Sequence, residues 1–103
     1  MAIIGTFQKD SSGACSGTIK TLTLDIRGVQ IKPLKKERDR MPDFQVLAGS
    51  TEIGVAWIKT SLRDRQYLLV KLDDPAFCAP VYARLVEEDL RYTLIWSRSR
   101  HAD

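Results

Sequence analysis

The chain has 103 residues and a mass of 11.7 kDa, enough for one hydrophobic core and too little for two. Hydrophobic residues make up 44% and charged residues 28%, which excludes a disordered chain, and no apolar run approaches the roughly 20 residues of a membrane-spanning helix. The net charge of +3 and pI near 9.0 exclude a histone-like protein; they permit a nucleic-acid or acidic-protein partner without requiring either.

Met1 to Thr6 carries neither the basic start nor the long apolar stretch of a signal peptide, so a cytoplasmic location is expected. Ile3 to Phe7 and Gly17 to Ile26 read as a hairpin about Ser11-Ser12-Gly13, its second strand continuing through Val29, Ile31 and Leu34. Residues 35–42 are dense in charge and read as a surface loop. Phe44, Val46 and Ala48 then share one strand face. After a turn at Gly49-Ser50-Thr51, Ile53, Val55 and Trp57 share another, which together make a β-hairpin.

A polar loop from Thr60 to Arg65 leads into Tyr67 to Leu72, where Leu68, Val70 and Leu72 point inward. Asp73-Asp74-Pro75 stops that strand. Beyond Pro80, Val81, Ala83 and Leu85 alternate with Tyr82, Arg84 and Val86. A short helix near 80–88 is the alternative, because Val81 and Leu85 are also spaced i, i+4. A strand is preferred because Glu87-Glu88-Asp89 resembles a hairpin turn into Tyr92 to Trp96, with Tyr92, Leu94 and Trp96 on one side. Trp57 and Trp96 are placed inward, and 99–103 form a flexible tail. The fold class is mainly β: one compact domain over 1–103, with about six or seven antiparallel strands in a small barrel or sandwich.

Catalytic chemistry finds little support. The single histidine, His101, lies three residues from the C-terminal Asp103, which leaves no Ser-His or Cys-His pair. Phosphate-loop and dinucleotide fingerprints are missing. Cys15 and Cys78 form no CxxC pair, so no metal or cofactor is expected and reduced thiols are the simpler reading. Asp73-Asp74, followed by proline, is a turn before it is a carboxylate pair. The protein is not expected to be an enzyme.

The basic and aromatic residues say more. Lys35, Lys36, Arg38 and Arg40 lie in the charged loop with Lys32 just before it; Lys59, Arg63 and Arg65 flank the loop ahead of Tyr67; Arg98 and Arg100 end the chain. Tyr67 and Tyr82 fall on outward faces. Cations that track phosphates beside flat rings that stack on bases suit single-stranded nucleic acid. Interspersed Glu37, Asp39, Asp64, Asp73 and Asp74 dilute these clusters, so a plain solvated surface accounts for the same charges. Lys35, Lys36, Arg38, Arg40, Lys59, Arg63, Arg65, Tyr67 and Tyr82 are therefore candidate contact residues.

Several stretches are shared in order with a known family: Ile4-Gly5-Thr6-Phe7, Gly17 to Leu24, Pro42-Asp43-Phe44, Glu52-Ile53-Gly54-Val55-Ala56-Trp57, Lys59-Thr60-Ser61, Tyr67-Leu68, Val70 to Pro75, Ala79-Pro80 and Leu94 to Arg98. Through them the chain resembles the bacterial family called domain of unknown function 736. The resemblance implies a small cytoplasmic protein of plasmids and conjugative elements, and it brings no catalytic residues. Two departures lie in loops. Leu62-Arg63-Asp64-Arg65 replaces a stretch that usually bears glycine, and Leu90-Arg91 stands in a shorter turn before Tyr92.

Three functions are consistent with this reading. The first is a non-enzymatic accessory protein of mobile DNA that binds nucleic acid; it predicts that the Lys59–Tyr67 region and the Lys32–Arg40 loop form one face. The second is an inhibitor of a host defence complex, of the anti-CRISPR or anti-restriction type. The third is a homo-oligomer that pairs through an exposed strand edge; the oligomeric state is left open, and no membrane partner is expected.

Overall fold

Alternating side chains punctuated by turn residues dictate strands, and the computed structural model contains eight. It describes residues 2–22, 24–35, 41–77, 79–88 and 91–97, and no helix occurs among them. The strands are β1 (Ala2–Lys9), β2 (Cys15–Lys20), β3 (Asp25–Pro33), β4 (Phe44–Ala48), β5 (Thr51–Thr60), β6 (Gln66–Leu72), β7 (Val81–Glu88) and β8 (Arg91–Trp96). Each pairs antiparallel with the next, and β8 pairs with β1 to close a barrel. A barrel has no free edge, so the strand-edge route to a homo-oligomer is closed off.

The strand count exceeds the expected six or seven because the stretch from Gly17 to Ile26 is not one strand. It reverses at Thr21, whose N–H donates to the Leu24 carbonyl at 2.8 Å while its Oγ1 accepts from the Leu24 N–H at 3.2 Å. A side chain that mimics a backbone turn is hard to see in an otherwise continuous β pattern. The segment at 81–86 is strand, as preferred. Flanking ladders to β6 and β8 satisfy its backbone on both sides, and it runs on to Glu88, opposite Arg91. Cys15 is a buried free thiol; Cys78, the 36–40 part of the charged loop and the 99–103 tail lie outside the described residues.

Inward-facing residues from all eight strands fill the barrel, as expected at this strand number. Phe7, Ile19, Val29, Ile31, Val46, Val70, Leu72 and Leu94 are its largest fully buried members. Each contributes about 1.5–3 kcal/mol through removal from water. Tyr92 and Trp96 pack against this core from the two ends of β8, so the inward placement of Trp96 holds.

Trp57 is different. Three strands each carry one extra residue in a β-bulge: Ile4 in β1, the Arg27–Gly28 region of β3, where Gly28 has φ 68°, and Ile53 in β5. At the β5 bulge Val46 faces Gly54 while Leu47 faces Glu52, so strict alternation is broken after Ile53. From there Gly54 and Ala56 share the inward side with their partners Leu72 and Val70, and Val55 and Trp57 turn outward opposite Lys71 and Leu69. Placing Val55 and Trp57 in the core is therefore corrected, for a one-residue slip flips every later side chain to the other face.

Two glycines permit the close strand approach. A Cβ on Gly17 would fall on the Thr6 carbonyl oxygen, and one on Gly54 would fall on the Lys71 carbonyl oxygen. Gly17→Ala and Gly54→Ala should each lower stability by about 1–3 kcal/mol in chemical denaturation, the cost of overpacking. Phe7→Ala should cost about 3–5 kcal/mol. Trp57→Ala, on the outer face, should cost roughly 1 kcal/mol or less by the same measurement.

Candidate nucleic-acid interface

Antiparallel order sorts the connections between two ends. At one end β1, β3, β5 and β7 finish while β2, β4, β6 and β8 start. That end gathers the 10–14 hairpin, the base of the charged loop and the 61–65 turn. The Leu34 N–H donates to the Asp43 carbonyl at 2.9 Å and closes the base of the charged loop, leaving Lys35 exposed just beyond it. Lys59, Arg63 and Arg65 are exposed at the same end, and Tyr67 sits opposite Lys59 in the β5–β6 ladder. Five of the nine candidate residues thus meet there: Lys35, Lys59, Arg63, Arg65 and Tyr67. Lys36, Arg38 and Arg40 lie outside the described residues. Tyr82 does not join them: it is outward and 44% exposed, but stands near the start of β7, toward the opposite end.

Backbone hydrogen bonds fix the loops that carry these cations. Ser61 N–H donates to the Arg65 carbonyl at 2.8 Å, and its hydroxyl accepts from the Arg65 N–H at 3.3 Å. The turn needs a left-handed residue, supplied by Asp64 with φ 61°. Asp10 organises the other hairpin: its Oδ1 accepts from the Ser12 hydroxyl at 2.6 Å, the Ser12 N–H at 2.8 Å and the Ala14 N–H at 3.2 Å. Those bonds, the Ser12 hydroxyl first, hold the Asp10 carboxyl below the usual carboxylate range. Asp43 is likewise engaged, its Oδ2 accepting from the Ile58 N–H at 2.9 Å. These two acids serve the backbone as acceptors.

On the outer wall, two cross-strand rows slant from this end toward the opposite one. Lys32, Gln45, Val55, Lys71 and Tyr82 are successive partners from β3 to β7. Trp57, Leu69, Arg84, Ile95 and Ile3 follow from β5 through β8 to β1. Neither row contains an acidic residue. The Arg84 guanidinium carbon lies 6.0 Å from the centre of the Tyr67 ring, at the outer limit of a cation–π contact.

Beside that pair a groove of about 720 Å³ runs between Arg65 and Arg84, with Glu87 and Glu88 also on its lining. The barrel mouth itself is a separate cavity of about 280 Å³, walled by Phe44, Leu85 and Tyr92 with Lys9 and Glu87 among its polar residues. Gln66, Tyr67 and Glu87 line both spaces, so groove and mouth meet across one rim. Cys15 also lines the mouth. Burial pushes its thiol up, against a smaller downward pull from Lys9, which keeps it protonated and poorly nucleophilic at neutral pH. Among the described residues no group of three His, Cys, Asp or Glu side chains could hold a metal ion.

Sequence reasoning missed Lys9, Lys71, Arg84, Glu87 and the outward Trp57. Tyr67 and Arg84 are far apart in the chain, and only the β6–β7 ladder brings them together. The outward turn of Trp57 depends on a bulge with no residue signature of its own. The left-handed Asp64 generates a check on the loop. Asp64→Gly should relieve strain and raise stability by about 0.5–1 kcal/mol in thermal unfolding, because an L-residue with a Cβ is disfavoured there.

The family model described as protein of unknown function (DUF736) matches residues 3–99. No curated protein and no solved structure matches the chain. With nearly its whole length covered by that model, the chain belongs to the DUF736 family.

Proposed function

We propose that the protein is a non-enzymatic binder of single-stranded nucleic acid, with the strand passing over the mouth end of the barrel along the Arg65–Arg84 groove. The observation that carries this reading is the juxtaposition of Arg65, Arg84 and Tyr67 at one groove, whose lining also carries Glu87 and Glu88, with Lys59 and Trp57 on the adjoining strand. Cations spaced along a groove neutralise phosphates, and nearby rings accept bases of any sequence by stacking. A duplex keeps its bases paired and stacked, so its rings would be withheld from Tyr67 and Trp57. The strand is therefore the better fit.

A second reading has its own support. Trp57, Leu69, Ile95 and Ile3 are apolar members of the outer row that Arg84 interrupts, with Ile3 65% exposed. Aromatic and aliphatic anchors of this kind are the centre of many protein interfaces. That row would serve an inhibitor of a host defence complex, and it lies on the wall beside the groove.

Fluorescence anisotropy with labelled single-stranded and duplex oligonucleotides separates the two. The nucleic-acid reading expects micromolar or tighter binding of single strands that weakens steeply with salt. Arg84→Ala and Tyr67→Ala should each weaken it by about tenfold, in the range of one lost stacking or phosphate contact. Binding that is absent at low salt would sink this reading and leave the outer row as the surface to pursue.

A further inference from the structure

The geometry points to the barrel mouth as a pocket for one unstacked base, with guanine preferred, whose own phosphate lies in the groove outside the rim. This inference rests on the single-strand reading and assigns its base-specific element. Gln66, Tyr67 and Glu87 line both the mouth and the groove, so a nucleotide held by Arg65 and Arg84 outside has its base directed over that rim. The mouth is walled by rings and aliphatic carbon from Phe44, Leu85 and Tyr92, which suits a flat apolar face. Its volume of about 280 Å³ is ample for one base.

The polar groups of the mouth select among bases. Glu87 is acceptor-only when ionised and offers two oxygens side by side. Guanine presents two adjacent N–H donors on its Watson–Crick edge; cytosine and adenine each present one amino group there, and thymine one ring N–H. Lys9, at the end of β1 two strands away from Glu87, is donor-only and complements the O6 and N7 acceptors of guanine. The Asp10 carboxylate fixes the backbone of the hairpin that follows Lys9. An acceptor-only and a donor-only group in one aromatic-walled pocket match guanine on both of its polar edges.

The test uses T-rich single-stranded 12-mers that differ only in one central base, measured by anisotropy, together with free nucleosides titrated into labelled protein by NMR. The mouth assignment expects the guanine 12-mer to bind about tenfold or more tightly than the all-T strand, the range of one good bidentate pair. Glu87→Gln should abolish that preference; because Glu87 also lines the groove, loss of its charge should strengthen binding of the adenine, cytosine and all-T strands to a similar extent. Arg84→Ala should weaken all four strands alike and keep the preference. Guanosine should perturb Tyr92 and Cys15 signals more than thymidine does. Equal binding of the four strands, or a preference that survives Glu87→Gln, overturns the mouth assignment and leaves single-strand binding standing. Guanosine bound in the mouth with no oligonucleotide bound would overturn the single-strand reading and uphold the pocket. No binding of either ligand overturns both.

Discussion

Closure of the sheet is the constraint on which the other features depend. An open sheet of eight strands would present two rows of unpaired N–H and C=O groups, and here the pairing of β1 with β8 satisfies them. To close at this strand number the sheet must coil tightly. The bulges in β1, β3 and β5 provide local extra twist, and Gly17 and Gly54 let neighbouring backbones come closer than a Cβ would permit. The interior is then too narrow for anything but side chains, and it fills with Phe7 and a set of branched aliphatics.

What the closed core cannot absorb appears on the outside. An alternating strand buries only half its residues, and the bulge in β5 gives Trp57 to the outer half. The surface beside the mouth therefore combines rings and aliphatics with Lys59, Arg84 and the groove acids, a composition costly to leave bare. The acids near that surface divide by role. Asp10 and Asp43 are occupied with backbone N–H groups, while Glu87 stands at the rim between groove and cavity. Those carboxylates keep their negative charge while they accept, and Glu88 lines the groove with Glu87 beside Arg65 and Arg84, so this end of the barrel presents a surface of mixed charge.

Much of this was legible before any coordinates. Alternation in Tyr67 to Leu72 and in Val81 to Val86 gave the correct inward set, since Val70, Leu72, Ala83 and Leu85 are all buried. The turn at Asp73-Asp74-Pro75 also stands, with the Asp74 carboxylate accepting from the Ala76 N–H at 2.9 Å. Reading failed where the signal was geometric and not chemical. A bulge inserts one residue without altering composition, so Val55 and Trp57 were assigned to the wrong face. Thr21 turns the chain through a hydroxyl that β-strands also favour. For the site, the cations on loops were found because charge runs are visible in a sequence, whereas Arg84 was passed over because its importance comes from its neighbour across a ladder.

The joint between β1 and β8 also has a kinetic meaning. All the other pairings are between strands adjacent in the chain, and each can zip from its own connection. The remaining one brings Ala2 to Trp96, nearly the full length of the described chain. Loop-closure entropy must be met before that contact is rewarded, so the hairpins assemble first and the seam closes last.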